Sequence, residues 1–169
     1  MANDMTVRAR LGAGMCFDVE TGSGHHVILD AAEHNGGQDR GPRPMEMLLV
    51  ALAGCAGMDI ISILRKKRLD ITGYEVRIHG ERVEEHPRVF VHITVEHIFT
   101  GHHIRQEAVE RAIELTEERY CGASAMLGKT ATLKHTFLIT EVEEGARLEI
   151  DTDMSSKSKG QRNSPFFCL

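Results

Sequence analysis

Apolar residues alternate with polar ones in several short runs, a pattern that predicts strands with one buried face. Val7, Ala9 and Leu11 alternate with arginines, and glycine-containing turns separate this run from two others before residue 30. The predicted strands lie near 7–11, 17–19, 27–29, 74–78, 89–95 and 133–142. The runs at 74–78 and 89–95 flank a polar turn and predict an antiparallel hairpin.

The segment from Pro44 to about Arg68 predicts a long helix that is apolar on nearly every side. Pro44 suits the first helical position because its missing N–H would be unpaired there. Only Glu46, Asp59 and Ser62 interrupt the apolar residues before the basic run that ends the segment. A helix that is apolar all round must be covered all round, which one small sheet cannot do. We therefore expect a second subunit to cover the remaining face.

Two more helices are predicted between the hairpin and the last strand. Residues 104–120 repeat apolar positions at helical spacing and carry glutamates on the other side, and a short helix is expected over 123–127. No repeat or internal boundary interrupts this pattern, so residues 1–145 predict one α+β domain. Residues 154–163 are polar and rich in Ser and Lys, and although the last four residues are apolar, we predict a polar C-terminal tail over 146–169.

Composition narrows the functional class. The 169 residues are 41% apolar and 27% charged with a formal charge of -5, and no basic stripe with interleaved aromatics predicts a nucleic-acid partner. The chain shows no signal segment, and its four cysteines are not closely paired, so we expect a cytoplasmic protein with reduced thiols. The uncharged run 47–58 is shorter than the roughly 20 residues of a membrane span and indicates a buried helix instead.

Ten histidines raise the possibility of a metal centre. The pairs at 25–26 and 102–103 are adjacent, and neighbours on a strand point to opposite faces. His92 and His97 differ by an odd number and should also face opposite sides of their strand. The histidine pattern therefore does not favour a metal centre, and none is predicted.

Two cysteines, Cys55 and Cys121, carry the candidate chemistry. A cysteine in an apolar helix is most often a small buried hydrophobe, and Asp59, one turn after Cys55, disfavours a thiolate there unless a cation intervenes. In the opposite direction, small residues around Cys55 leave space for a substrate. Cys121 lies where one helix gives way to the next, whose N–H groups can stabilise a thiolate. The spacing fits neither a Cys-x-x-Cys motif nor a zinc knuckle, so only the fold could bring the two together.

Two motifs resemble those of the OsmC/Ohr family. The central-helix signature is matched by GPRPMEMLL at 41–49, AGC at 53–55 and DIISILRKK at 59–67. The second cysteine motif is matched by ERYC at 118–121 together with Ser124, Met126 and Leu127. The match covers about residues 5–142 in consistent order and is closest to the OsmC-like, YhfA-type branch rather than to Ohr proper.

This resemblance implies both a fold and an activity. The fold is an intertwined homodimer, in which antiparallel sheets wrap the long central helix of each subunit. The activity is reduction of organic hydroperoxides at the dimer interface, as part of oxidative stress protection. Cys55 corresponds to the thiol that becomes a sulfenic acid, and Cys121 to the thiol that resolves it to a disulfide. An external dithiol, such as a lipoyl group, or a small thiol restores both, and no metal, flavin or haem cofactor is implied.

The chain departs from the family's peroxidases at two supporting positions. These enzymes place an Arg from an early hairpin and a Glu from the start of the central helix near the reactive thiol. Here the hairpin position reads GMC at 14–16, and the Glu position holds Met45. Glu46, one step away, lies on the helix face opposite Cys55 and is expected to serve the helix N-terminus or the other subunit. The arginines that remain as possible substitutes are Arg8, Arg10, Arg40 and Arg43.

These departures keep two other hypotheses open. One is a dimeric binding protein of the same fold, whose interface cleft holds a small apolar ligand or an acyl chain and whose cysteines react slowly. The other is a structural dimer in which both thiols are merely packed.

Overall fold

The computed structural model describes residues 4–142 and contains six strands, three α-helices and two short helical turns. The predicted tail at 146–169 lies outside these residues. The strands are β1 (Val7–Leu11), β2 (Phe17–Thr21), β3 (His26–Leu29), β4 (Asp70–Arg82), β5 (Phe90–His102) and β6 (Thr132–Glu141). The helices are α1 (Pro44–Lys66), α2 (Gln106–Leu115) and α3 (Gly122–Leu127), with a 3-10 turn at Glu33–Asn35 and a π-helical turn at Thr116–Tyr120. Every predicted strand and helix is present, so the α+β class is confirmed.

The first three strands form an antiparallel sheet in the order β1-β2-β3. Gly14 and Gly24 have positive φ angles of 64° and 82° in its two turns, a conformation that glycine adopts without steric cost. All five residues of β1 are exposed, and β2 is only half-buried. This sheet has little cover, and apolar residues on it, such as Leu11, are exposed.

The other sheet has the order β4-β5-β6 and corrects one expectation. β4 and β5 are antiparallel as predicted, but β6 pairs with β5 in parallel, although the resemblance implied antiparallel sheets. A parallel pair needs a long crossover connection, and the segment containing α2 and α3 supplies it. The alternation of apolar residues shows that β6 is a strand, but it carries no information about the direction of the neighbouring strand.

Helix α1 lies against the second sheet and joins two hydrophobic clusters. Leu52 and Ala56 belong to one cluster, and Ile60 and Leu64 belong to the other. The opposite face is open, since Val50 is 55% and Met58 73% exposed. A helix this long and apolar could also cross a membrane, but a helix in a protein core can have the same properties, so composition alone is weak evidence for a membrane.

Candidate active site

Helix α1 places a thiol and a carboxylate next to each other. Cys55 and Asp59 are four residues apart, so they lie one turn apart on the same helix face. Both residues are half-buried. The space expected around Cys55 is open only on one side: a side chain added at Gly54 would meet no atom within 4 Å, whereas Ala56 and Gly57 are buried.

A local change in helix geometry places Cys121. After α2 the chain makes one π-helical turn, closed by a 2.9 Å hydrogen bond from the Cys121 N–H to the Thr116 carbonyl. Cys121 then becomes the N-cap of α3, and the Ser124 N–H donates a hydrogen bond to its Sγ at 3.3 Å. This confirms the expectation that N–H groups of the following helix reach the Cys121 sulfur. Single π turns inside helices are frequent at functional sites.

The fold brings both cysteines to the same place. The Sγ atoms of Cys55 and Cys121 and a carboxylate oxygen of Asp59 all lie within 4.8 Å of one another. Cys121 is buried, with only 2% of its surface exposed, while Cys55 is the more accessible thiol. Asp59 was expected beside Cys55, but only the folded structure places it beside Cys121 as well.

The environment of Cys121 favours its thiol form. Burial raises the pKa of the Cys121 thiol, and the neighbouring Cys55 adds to that rise. The hydrogen bonds from Ser124 act in the opposite direction but do not cancel it. At neutral pH, Cys121 is therefore a protonated thiol beside a more exposed one.

The charged groups proposed to support Cys55 are engaged elsewhere. Arg43 forms an ion pair with Asp39 at 2.6 Å, and Arg8 and Arg10 lie on the exposed strand β1. Glu46 accepts a 2.8 Å hydrogen bond from the Arg43 N–H, so it serves the start of α1 as expected. Within residues 4–142, the ion pairs and hydrogen bonds of the structure do not include the Asp59 carboxylate.

A second polar cluster was not predicted. The Tyr74 hydroxyl lies 2.9 Å from Nδ1 of His97, and Nε2 of His97 lies 3.0 Å from Nδ1 of His135. His97 is fully buried while His92 is exposed, which confirms that the two face opposite sides of β5. Burial and the neighbouring His135 lower the pKa of His97 to about 4. The sequence did contain a sign that His97 is buried. It is two residues after Val95 and four after Ile93, so all three side chains lie on the same face of β5.

Comparison with known sequences places the chain among described relatives. Residues 36–136 match the family described as OsmC-like protein. Protein YhfA of Escherichia coli strain K12 is 41% identical over 133 residues, which cover 79% of this chain and 96% of YhfA.

Solved structures share the fold. A hypothetical protein from Aquifex aeolicus is 27% identical with a TM-score of 0.74, covering 84% of this chain and all of the other. A structure from Legionella pneumophila, titled as an organic hydroperoxide resistance protein OsmC and predicted redox protein, is 16% identical with a TM-score of 0.63. The alignment covers 81% of this chain and 98% of the Legionella chain. At 16% identity the likeness concerns the fold alone.

Proposed function

This chain belongs to the OsmC-like protein family, and from that premise we propose that it reduces organic hydroperoxides through Cys55 and Cys121. The observation that carries the proposal is the placement of the two sulfur atoms within 4.8 Å of each other, although the residues come from different elements. To form a disulfide, the two sulfur atoms would have to approach to about 2.05 Å, which is at most about 2.7 Å closer than they lie here. The hydroperoxide resistance named for the Legionella structure is consistent with this chemistry.

The difference in exposure between the two thiols supports the roles proposed for them. Cys55 is the more accessible, so its thiolate attacks the distal peroxide oxygen. The O–O bond breaks, the alkoxide takes up a proton and leaves as an alcohol, and Cys55 becomes a sulfenic acid. Cys121 then attacks the sulfenic sulfur, water leaves, and a Cys55–Cys121 disulfide forms. An external dithiol reduces this disulfide by exchange and returns both thiols.

The active form in this proposal is a homodimer. The exposed apolar face of α1, with Val50 and Met58, and the uncovered strand β1 are the surfaces that a second copy would bury. A second subunit could also bring an arginine to the thiols, since Arg43 of the same protomer is paired with Asp39, and Arg8 and Arg10 lie on the exposed strand β1. The protein would protect against oxidative stress in the cytoplasm.

Trapping the sulfenic acid tests this function. Cys121→Ser is treated with cumene hydroperoxide in the presence of dimedone, and a dimedone adduct is expected at Cys55. Cys55→Ser should form no adduct and should lose dithiol-dependent consumption of the peroxide. Glu85→Gln, which changes an exposed carboxylate in the turn between β4 and β5, is the control and should retain the full rate. A folded Cys121→Ser variant without an adduct at Cys55 would contradict the proposal.

A binding function is the alternative, and one observation favours it. Burial raises the pKa of the Cys121 thiol, which disfavours the thiolate that would resolve a sulfenic acid at Cys55. In that case the cleft would hold a small apolar ligand or acyl chain. Binding of a fluorescent fatty acid, together with unreactive Cys55, would support the alternative. A purely structural role requires neither ligand binding nor a reactive thiol. In that case a thiol reagent added to the native protein should modify neither Cys55 nor Cys121.

A further inference from the structure

We propose that the reduced thiols of Cys55 and Cys121 and the carboxylate of Asp59 form a site for one thiophilic divalent cation of the Zn²⁺ class. The three side chains contribute one ligand atom each, and those atoms lie within 4.8 Å of one another. The site requires only that both thiols be reduced. It therefore stands apart from peroxide reduction and does not depend on it.

The geometry is close to what a tetrahedral ion requires. With Zn–S distances near 2.3 Å and a Zn–O distance near 2.0 Å, ligand atoms in a tetrahedral site lie about 3.8 Å (S to S) and about 3.5 Å (S to O) apart. From separations of up to 4.8 Å, the distances between these atoms have to shorten by at most about 1.0 Å (S to S) and about 1.3 Å (S to O). Rotation of the half-buried Asp59 side chain can supply much of that movement, while Cys55, which packs against the hydrophobic cluster of Leu52 and Ala56, has less freedom to move.

The ligand types fit one group of metals. Two thiolates and one carboxylate carry three negative charges, and a divalent cation reduces the repulsion among them. Thiolates select Zn²⁺ and similar ions, whereas Mg²⁺ and Ca²⁺ prefer oxygen ligands. Three protein ligands leave a fourth position for water, as in open zinc sites, while a closed structural site has four.

The surroundings of the cluster support the same conclusion. Asp59 has no ion-pair or hydrogen-bond partner among the residues that the structure describes, so a cation could bind its carboxylate without breaking an existing contact. The Ser124 N–H donates to the Cys121 sulfur at 3.3 Å, the kind of outer contact that orients a ligating atom. The histidine spacing disfavoured a histidine site and the cysteine spacing disfavoured a zinc knuckle, but neither spacing could show that the fold brings Cys55, Cys121 and Asp59 together.

Metal binding and oxidation would exclude each other at this site. A sulfur that is bonded to the metal, or one that has formed a disulfide, is not available for the other reaction. Binding also releases protons, because burial keeps the Cys121 thiol protonated until the metal displaces its proton. The cation would therefore hold the dithiol in its reduced state.

Cobalt provides a direct test, because thiolate-bound Co²⁺ has a charge-transfer absorption in the near ultraviolet that histidine-bound Co²⁺ lacks. Reduced full-length protein is titrated with Co²⁺ without oxygen, and the band is expected to saturate at one equivalent per chain and to disappear when Zn²⁺ is added. Cys55→Ser and Cys121→Ser should lose the band. Asp59→Asn should keep it but bind Co²⁺ at least about tenfold more weakly. Glu85→Gln, which changes an exposed carboxylate away from the site, should match the wild type.

Two results would overturn the proposal. One is the absence of the charge-transfer band in folded, reduced wild-type protein, and the other is a band that survives both single cysteine substitutions. If Asp59→Asn binds Co²⁺ as tightly as the wild type does, Asp59 is not a ligand, and this result would contradict the three-ligand proposal. Dimedone trapping at Cys55 is measured separately, so failure of the metal site and failure of the peroxidase are distinguishable.

Discussion

His97 and His135 are joined across the β5–β6 pair, with Nε2 of His97 3.0 Å from Nδ1 of His135 and the two rings stacked at 5.3 Å. The Tyr74 hydroxyl lies at the other end of this chain, 2.9 Å from Nδ1 of His97. A hydrogen bond between two imidazole nitrogens requires one of them to accept, so the two rings cannot both be fully protonated. The cluster is therefore a neutral polar network inside an otherwise apolar sheet face.

We expect the protein to lose stability as the pH falls from about 6.5 to about 4. Burial lowers the pKa of His97 to about 4. Burial also lowers the pKa of His135, and the nearby Glu117 partly offsets that lowering. In this range the unfolded chain binds protons that the folded chain excludes, so stability is full above pH 6.5 and declines below it. The His97 contribution is about 3 kcal/mol at most. Denaturant unfolding at several pH values measures it.

Two histidine variants on the same strand provide the comparison for that measurement. His97→Gln should flatten the dependence on pH between 6.5 and 4, although its stability at pH 7 is lower. His92→Gln changes an exposed side chain and should keep the wild-type dependence. An equal effect of both substitutions would show that the buried cluster is not responsible.

We expect oxidation to join Cys55 specifically to Cys121. Their sulfur atoms lie within 4.8 Å, whereas Cys16 belongs to the first hairpin region. After one equivalent of cumene hydroperoxide, peptide mapping without reductant should yield a cross-linked peptide pair that contains residues 55 and 121. A disulfide between subunits, or one that involves Cys16, would be incompatible with the proposed resolving role of Cys121.

We expect Met58→Asp to dissociate the proposed homodimer. Met58 is 73% exposed in the middle of the apolar face of α1, and a buried charge without a partner is strongly unfavourable at an interface. Light scattering coupled to size exclusion should show a smaller particle. Leu138→Asp is the control, since Leu138 is 54% exposed on β6 and should leave the mass unchanged. A Met58→Asp variant with wild-type mass would place the interface elsewhere.

We expect Glu46→Gln to reduce stability without changing the thiols. The Glu46 carboxylate accepts a 2.8 Å hydrogen bond from the Arg43 N–H and sits at the positive end of α1, so its neutralisation should cost about 0.5–1 kcal/mol. Glu85→Gln, in the exposed turn between β4 and β5, should change the free energy of unfolding by less. Slower alkylation of Cys55 in Glu46→Gln would instead indicate that Glu46 supports the thiol.

The sequence by itself determined the elements and the contacts within them. Alternation at Tyr74, Val76 and Ile78 predicted β4, because side chains on a strand repeat every two residues. The pairing of Cys55 with Asp59 on one face of α1, and the position of Cys121 at a helix junction, are also local. Helix geometry fixes such relationships whatever the rest of the chain does.

Contacts between elements were decided by the tertiary structure alone. Three such contacts join segments that are distant along the chain. They are the proximity of Cys55 and Cys121, the parallel pairing of β6 with β5, and the hydrogen bond between His97 and His135. Local periodicity states which side of an element is buried, but not which other element covers that side. That choice depends on how the helices and sheets pack together, because one apolar face can be buried equally well against several others.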